Sequence, residues 1–307
     1  MKKTWFYFII LFTVFACQKE DASIIGWEKV SITSINNISP SLLALSGSNM
    51  YAVSDDFKNL LYKSADGGIN WIEVTGIPKR VNSITIWNQY ILAGTSAGIY
   101  RSTDNGVTWL AANTGLKYFT EVNTFVCSNK VYAYTSGDVF TTDNNGESWS
   151  SVSTGLDSTP IRAFTIKGTS YIAATWEGIY RSDDNGIKWT NAVADNNYVK
   201  TLAISGTNVI AGATDGLYYS ADDASNWIKA KITDEDYQSP SIRCFAVLGK
   251  NIYAGSESHG IYFSSDNGIN WSKFNTGFTD TLTCYSLFVS GGNLYARTSR
   301  GLWKRQL

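Results

Sequence analysis

Residues 102–109 read STDNGVTW, and five other stretches of the chain repeat this pattern at a spacing of about forty residues. The shared form is S/T-x-D-x-G-x-x-W. The other copies are SADGGINW at 64–71, TDNNGESW at 142–149, SDDNGIKW at 182–189, SADDASNW at 220–227 and SSDNGINW at 264–271. A repeat of this period indicates that one supersecondary unit is copied along the chain, as in solenoids and propellers.

The octet has the composition of a tight turn between two strands. An aromatic-aliphatic run precedes the turn, such as GIYR at 98–101, and the tryptophan opens another short strand. Glycine allows the positive φ of such a turn, and the carboxylate can accept hydrogen bonds from the turn's own N–H groups. The tryptophan supplies a large apolar side chain to bury between neighbouring units. We therefore predict a structural, turn-closing role for the third residue of each copy: Asp66, Asp104, Asn144, Asp184, Asp222 and Asp266.

One copy departs from the pattern at the glycine position. Ala224 stands there, and a residue with a Cβ atom is disfavoured at positive φ. We expect this turn to be the most distorted of the six.

The octet resembles the Asp-box, or BNR repeat, of sialidase-type and sortilin-type β-propellers. Two more strand-like segments precede each octet, and aligning them yields seven copies rather than six. The innermost candidates are rich in apolar and β-branched residues, as expected for strands buried on both faces. They lie at 41–45, 81–86, 122–127, 161–166, 199–204, 242–247 and 282–287.

The seventh copy lacks an octet and a fourth strand. Residues 26–30, GWEKV, match the segments that follow the octets, such as WIEV at 71–74. We predict that they cross over to complete the last sheet. The predicted fold is an all-β, seven-bladed β-propeller of four-stranded antiparallel blades, closed by an N-terminal strand that completes the C-terminal blade.

The first residues have the composition of a bacterial export signal. Lys2 and Lys3 precede an apolar run, 5–16, that is too short to span a bilayer comfortably. VFAC at 14–17 resembles a bacterial lipobox, which implies lipidation of Cys17. We expect a lipoprotein signal peptide at 1–16, a flexible tether at 17–25 and the propeller at 26–307. The resemblance implies an extracytoplasmic, lipid-anchored protein of the bacterial outer membrane, with periplasmic and surface exposure both left open.

Charge and cysteine content restrict the partners. The chain carries 25 basic and 26 acidic residues, a balance that argues against a nucleic-acid partner. Beyond Cys17, three cysteines form an odd set and no disulfide framework. Cys244 and Cys284 align at the same repeat position in adjacent units, where we expect small buried apolar side chains. Whether they pair stays open.

Ligand sites of the propellers that this chain resembles lie on the face opposite the Asp-boxes, around the channel mouth. We therefore expect no metal at the boxes. One first-strand position is polar around the ring, reading Ser41, Asn82, Asn123, Arg162, Lys200, Arg243 and Thr283. With side chains of the loops between second and third strands, it yields the candidate ligand site: Arg162, Trp176, Glu177, Lys200, Asp215, Arg243, Glu257 and His259. This set suits an anion or a glycan, with Trp176 as a stacking platform. The alternative is that these charges only neutralise one another.

Two classes of function remain. By resemblance, a sialidase needs an arginine triad and a tyrosine nucleophile with a glutamate partner. Sialidases also carry an Arg-Ile-Pro motif before the first box, whereas GIPKR at 76–80 follows that box. Seven-bladed Asp-box glucanases use paired propellers with aspartates in the cleft between them. We assign no catalytic residue, cofactor or metal, and leave enzymatic activity undecided.

The favoured interpretation is a monomeric, non-enzymatic binding or scaffold propeller. It is similar to sortilin ectodomains and photosystem II assembly factors, and it would recognise a protein, peptide or glycan on the face opposite the Asp-boxes. The alternative is a glycoside hydrolase-related protein of sialidase or glucanase type, or an accessory glycan-binding component of polysaccharide uptake.

Overall fold

The computed structural model describes residues 26–30, 40–46, 49–54, 58–66, 70–78, 80–117, 121–127, 130–135, 137–153, 156, 161–193, 198–233, 239–278 and 282–307. They form seven sheets that follow one another around a ring, and the predicted seven-bladed β-propeller is confirmed. The predicted signal peptide, tether and lipidated Cys17 lie outside these residues. Within the described ranges there is no helix, and so none able to cross a membrane.

Each blade has three long strands and a short outer one. In chain order the strands are β1 (Glu28–Lys29), β2 (Pro40–Ser46), β3 (Asn49–Ser54), β4 (Leu61–Ser64), β5 (Ile72–Glu73), β6 (Val81–Trp87), β7 (Tyr90–Thr95), β8 (Gly98–Ser102), β9 (Leu110–Ala111), β10 (Asn123–Cys127), β11 (Lys130–Tyr134), β12 (Val139–Thr142), β13 (Ser150–Ser151), β14 (Ile161–Lys167), β15 (Ser170–Thr175), β16 (Gly178–Ser182), β17 (Thr190–Val193), β18 (Val199–Ser205), β19 (Asn208–Ala213), β20 (Gly216–Ser220), β21 (Ile228–Lys229), β22 (Lys231–Ile232), β23 (Ile242–Leu248), β24 (Asn251–Ser256), β25 (Ile261–Ser264), β26 (Asn270–Lys273), β27 (Cys284–Ser290), β28 (Asn293–Thr298) and β29 (Gly301–Gln306).

The strands group into blades in chain order. Blade one is β2–β5, blade two β6–β9, blade three β10–β13, blade four β14–β17, blade five β18–β21 and blade six β23–β26. Blade seven is β27–β29 with β1. The sequence did not indicate β22, which extends blade six by pairing in parallel with β26.

The N-terminal strand closes the ring as predicted. Strand β1 pairs antiparallel with β29, with Glu28 opposite Lys304. Trp27 stands at the position of a box tryptophan and is 4% exposed. Its indole N–H donates to the Phe274 carbonyl at 2.8 Å, and its ring stacks on Phe278 at 5.0 Å. The closure therefore combines backbone pairing with burial of a large aromatic side chain.

The core lies mainly along the second strand of each blade, which corrects the expectation for the first strands. Strands β15 and β19 are buried along their whole length, whereas the interior positions of β18 are partly exposed. A second strand has a sheet neighbour on each side and a blade above and below it. A first strand lines the channel, so only part of its surface is covered.

The box tryptophans pack against the blade that precedes them, as predicted for inter-unit packing. Trp109 is 7% exposed and joins a cluster with Tyr51 and Leu61 of blade one. Trp149 is 4% exposed and joins Leu92 and Ile99 of blade two. Each repeat therefore buries apolar surface that it could not cover alone.

The Asp-box turns cap themselves. Asp104 Oδ1 accepts from the backbone N–H groups of Val107 and Thr108 at 3.0 and 2.9 Å, and from the Ser102 hydroxyl at 2.8 Å. Hydrogen bonds from Thr108 are the largest cause that lowers the pKa of Asp104 to about 2. Asn144 accepts from Ser148 N–H at 2.9 Å in the same way.

The turn with the alanine keeps the common shape, so the expected distortion is wrong. Ala224 has φ +66°, near the +78° of Gly106. Its N–H donates to the Ser220 hydroxyl at 2.9 Å, as Gly106 N–H donates to Ser102 at 2.8 Å. The alanine methyl is buried in a core cluster between blades four and five. Its packing offsets part of the cost of positive φ, about 1–2 kcal/mol.

The register of the first strands corrects the alignment in two blades. Arg162, Lys200 and Arg243 each lie at a β-bulge, as does Asn82. In blade three no bulge interrupts the pairing, and Asn123 pairs with Tyr134 as Ser83 pairs with Gly94. In blade seven the bulged residue is Tyr285, so Thr283 precedes the strand and Cys284 takes the place of Ile242 rather than of Cys244.

Candidate functional site

The turns between second and third strands lie at the end of the ring opposite the Asp-boxes, with the starts of the first strands. We call this end the entry face. Thr175 holds the turn of blade four, because its hydroxyl donates to the Gly178 carbonyl at 3.0 Å and accepts from Glu177 N–H at 3.1 Å. Trp176 therefore sits on a short capped turn. The equivalent turn residues in blades two, five and seven are Ser96, Thr214 and Ser299.

A cavity of about 180 Å³ opens between blades four and five on the entry face. The Trp176 and Tyr198 rings meet edge to face, with centroids 5.5 Å apart at 83°, and each residue is 47% exposed. The Arg162 guanidinium carbon lies 4.7 Å from the Trp176 ring centroid. The lining residues are Arg162, Thr175, Trp176, Tyr198, Val199, Lys200 and Thr214. The structure thus brings together Arg162, Trp176 and Lys200 of the predicted site.

Arg162 presents its charge to this cavity. The bulge at the start of β14 places it outside the regular alternation of the strand. Among the described residues, no carboxylate forms an ion pair with Arg162, and its aromatic contact is with Trp176. Burial raises the pKa of nearby Tyr134 to about 12, while the Arg162 charge acts in the opposite direction. Tyr134 is therefore neutral at pH 7 and does not neutralise Arg162.

Lys200 and Arg243 share one carboxylate. Lys200 Nζ lies 2.6 Å from Glu257 Oε1 and donates to the Ser241 hydroxyl at 2.9 Å. Arg243 Nη1 lies 3.4 Å from the same Glu257 oxygen. The hydrogen bond from Lys200 is the main cause that lowers the pKa of Glu257. Among these described side chains, the three cations Arg162, Lys200 and Arg243 face the single carboxylate of Glu257.

Three predicted site residues form hydrogen bonds within their own blades and do not line the cavity. Glu177 accepts from the Tyr180 hydroxyl at 3.3 Å, and Asp215 accepts from the Tyr218 hydroxyl at 2.6 Å. His259 Nδ1 lies 2.9 Å from the Ser258 hydroxyl. None of the three is among the residues that line the cavity.

Reasoning from the sequence left Tyr198, Tyr285 and Arg297 out of the candidate site. The guanidinium carbons of Arg243 and Arg297 lie 5.4 and 4.4 Å from the Tyr285 ring centroid. Arg297 is 6% exposed, and burial lowers its pKa to about 10. An alignment that allowed for the bulge in β27 would have placed Tyr285 at the position of Arg243 in the preceding blade. Tyr198 follows directly on an entry loop, which made it a visible but unselected aromatic residue.

The arrangement can bind an anion beside a planar or apolar group. Arginine and lysine supply charge-assisted hydrogen bonds, and the exposed aromatic edges supply apolar contact. In the described part of the chain, no group of three or more His, Cys, Asp or Glu side chains is placed to hold a metal.

Comparison with known families and structures supports the architecture. Residues 110–242 match the DUF6242 β-propeller domain, and residues 262–273 match the BNR/Asp-box repeat. A search of curated proteins found no match. The predicted resemblance to Asp-box propellers is confirmed.

Solved structures share the fold at low sequence identity. YCF48 from Cyanidioschyzon merolae is 15% identical with a TM-score of 0.68, over 92% of this chain and 98% of that one. YCF48 bound to D1 peptide is 14% identical with a TM-score of 0.67, over 92% and 95%. The WD40 propeller of Doa1 is 14% identical with a TM-score of 0.65, over 92% and 96%. These similarities concern the fold alone.

Proposed function

We propose that this Asp-box propeller is a non-enzymatic binding module that recognises an acidic, extended segment of a partner protein at its entry face. The observation that carries the proposal is the exposed Trp176–Tyr198 pair with the Arg162 guanidinium over Trp176. Contact between water and two half-exposed aromatic rings is unfavourable, and a partner that covers the rings would remove this cost. They resemble the aromatic and arginine anchors that dominate binding energy at protein interfaces.

The charge of the site favours an acidic ligand. Glu257 neutralises one of the two cations that it contacts, and Arg162 has no carboxylate partner among the described residues. A ligand carboxylate at Arg162 would form a charge-assisted hydrogen bond in a partly desolvated position. An apolar side chain next to it would cover the Trp176 and Tyr198 rings. A structural neighbour of the same architecture, YCF48, has been solved with a D1 peptide, which supports a peptide ligand.

We also propose that the chain is lipid-anchored through Cys17, with the entry face turned away from the membrane. Trp27 occupies the place of a box tryptophan, so the chain enters blade seven from the Asp-box side. The residues from Cys17 to Gly26 can span at most about 30 Å when fully extended. A membrane anchor at Cys17 therefore keeps the Asp-box side close to the bilayer and leaves the cavity accessible to a partner.

Arrays of acidic, neutral and basic peptides, with a glycan array beside them, test the ligand class. We expect acidic peptides to bind and both Trp176→Ala and Arg162→Ala to weaken binding about tenfold or more. Arg101→Ala is the matched control, because Arg101 lies over Tyr90 at 5.2 Å in an equivalent cation–π pair near the Asp-box face. Equal loss in the control, or no loss in either site variant, would contradict this site.

The other arms of the test separate the alternatives. Binding to glycans without binding to peptides would favour the glycan-recognition alternative. Release of sugar from sialosides or glucans would contradict a non-enzymatic role. For the anchor, Cys17→Ala should release the protein from the membrane fraction and abolish labelling by a fatty acid, and retention of the label would contradict lipidation at Cys17.

A further inference from the structure

Two cysteines meet at the seam between blades six and seven. Cys244 belongs to β23 and Cys284 to β27, and Cys284 is fully buried whereas Cys244 is partly exposed. A Cβ atom placed on Gly255 would lie 2.6 Å from Cys244 Sγ and 2.7 Å from Cys284 Sγ. Both sulfur atoms therefore occupy the space over one glycine, side by side.

The same contact recurs at the seam between blades five and six with different side chains. A Cβ atom on Gly212 would meet Thr201 Cγ2 at 2.8 Å and Ile242 Cγ2 at 2.5 Å. Register places Thr201 and Ile242 at the positions of Cys244 and Cys284 in the blades before them. The glycine makes room for two facing side chains from neighbouring blades, and here both carry sulfur.

We propose that Cys244 and Cys284 are a disulfide site that links blade six to blade seven. The two thiols are free in this structure. Oxidation would proceed by exchange with a disulfide of a low-molecular-weight thiol or of a thiol–disulfide oxidoreductase. One Cys sulfur displaces a thiol from that disulfide, and the second then attacks the mixed disulfide and displaces the other thiol. The balance is two protein thiols and one external disulfide converted to one protein disulfide and two external thiols.

The two cysteines differ in their access to an oxidant. Burial is the main cause that raises the pKa of the Cys284 thiol well above its ordinary value, and contact with Cys244 adds to it. The Arg243 charge nearby acts in the opposite direction. Since the thiolate is the nucleophile and Cys244 is the exposed member, Cys244 reacts first and Cys284 resolves the mixed disulfide. The second step accelerates as the pH rises.

The link would stabilise the contact between blades six and seven. The chain itself supplies only three strands of blade seven, β27–β29, and the fourth strand, β1, comes from the other end of the chain. A covalent bond between β23 and β27 restricts the unfolded chain and ties this blade to its neighbour. The effect does not depend on the ligand of the entry face.

The test uses the full chain with Cys17→Ser and Cys127→Ser, which leaves Cys244 and Cys284. The folded protein is treated with oxidised glutathione, then unfolded, alkylated with a maleimide and weighed by intact mass spectrometry. We expect a product lacking two hydrogens and unable to take maleimide, with an unfolding midpoint raised by about 5 °C.

Two single variants serve as controls that keep the fold. Cys244→Ser introduces the residue that blade two holds at this position, Ser83, and Cys284→Val introduces the apolar residue that starts the first strand of blade two, Val81. In either variant the one remaining thiol should react with the maleimide or carry one glutathione, and no internal disulfide should form. Full alkylation of both thiols after oxidation, even at alkaline pH, would refute the proposal. Formation of the bond only in the unfolded chain would refute it as well.

Discussion

The Lys200 ammonium lies 2.6 Å from Glu257 Oε1, and this ion pair joins blade five to blade six at the entry face. Arg243 lies 3.4 Å from the same oxygen. Glu257 therefore holds two cations in place, whereas Arg162, in blade four, forms no ion pair with a described carboxylate. The ion pairing that the sequence suggested as an alternative to binding occurs at Lys200 and Arg243, but not at Arg162 among the described residues.

We predict that the Lys200–Glu257 pair stabilises the fold at neutral pH and not in acid. The pKa of Glu257 is lowered from 4.5 in the folded state, mainly by the hydrogen bond from Lys200. A lowered folded pKa means that the stabilisation is complete above pH 4.5 and is lost as the pH falls through the lower folded value. Denaturant unfolding of wild type and Glu257→Gln should therefore show a difference at neutral pH that disappears in acid. A difference that persists unchanged in acid would contradict this account.

Trp27→Ala should open the ring closure. Trp27 is 4% exposed, stacks on Phe278 and donates to the Phe274 carbonyl. Removing such a side chain costs about 3–5 kcal/mol of unfolding free energy. Trp176→Ala is the control, because its ring is 47% exposed and its loss should cost clearly less, about 1 kcal/mol. Similar losses in the two variants would contradict a special contribution of Trp27 to this closure.

The glycines of the Asp-boxes should differ in tolerance to alanine. Gly186 and Gly106 have φ of +84° and +78°, so the backbone strain is nearly equal. An alanine Cβ at 186 would collide with the backbone carbonyl of Val152, which cannot move aside, whereas at 106 it would lie 3.0 Å from a side-chain carbon of Tyr51. We expect Gly186→Ala to cost about 1–3 kcal/mol more than Gly106→Ala in denaturant unfolding. Equal losses of stability would mean that the backbone strain at positive φ, and not the collision with Val152, sets the cost of the alanine.

Binding of an acidic peptide should depend on Arg162 and on salt. Arg162 lies over Trp176 at 4.7 Å, so a double-mutant cycle with Arg162→Gln and Trp176→Ala should reveal a coupling of about 0.5–2 kcal/mol. Affinity of the wild type should fall as ionic strength rises, and this slope should be smaller for Arg162→Gln. Titration calorimetry at several salt concentrations measures both. If the affinity of the variant depends on ionic strength as steeply as that of the wild type, the ligand's charge does not contact Arg162.

Local pattern predicted the elements of the fold with few errors. The octet indicates its own turn because Asp104 and its equivalents bond within four residues of themselves, and the match between 26–30 and the fourth strands identified the closing strand. Positions facing the channel were harder to assign. A bulge adds one residue to a strand, and since side chains alternate with a period of two, one missed bulge moves a residue to another position. Asn123 and Thr283 were misplaced for this reason.

The sequence by itself determined the number of blades, the strands within each blade and the closure by residues 26–30, because these depend on short-range patterns that repeat. The tertiary structure decided which side chains meet across blades. It brought Tyr198 of one entry loop against Trp176 of the preceding blade, left Arg162 facing the cavity, and set Cys244 beside Cys284 over Gly255. Such contacts depend on the register and packing of strands that lie about forty residues apart in the chain, and no local pattern of residues encodes them.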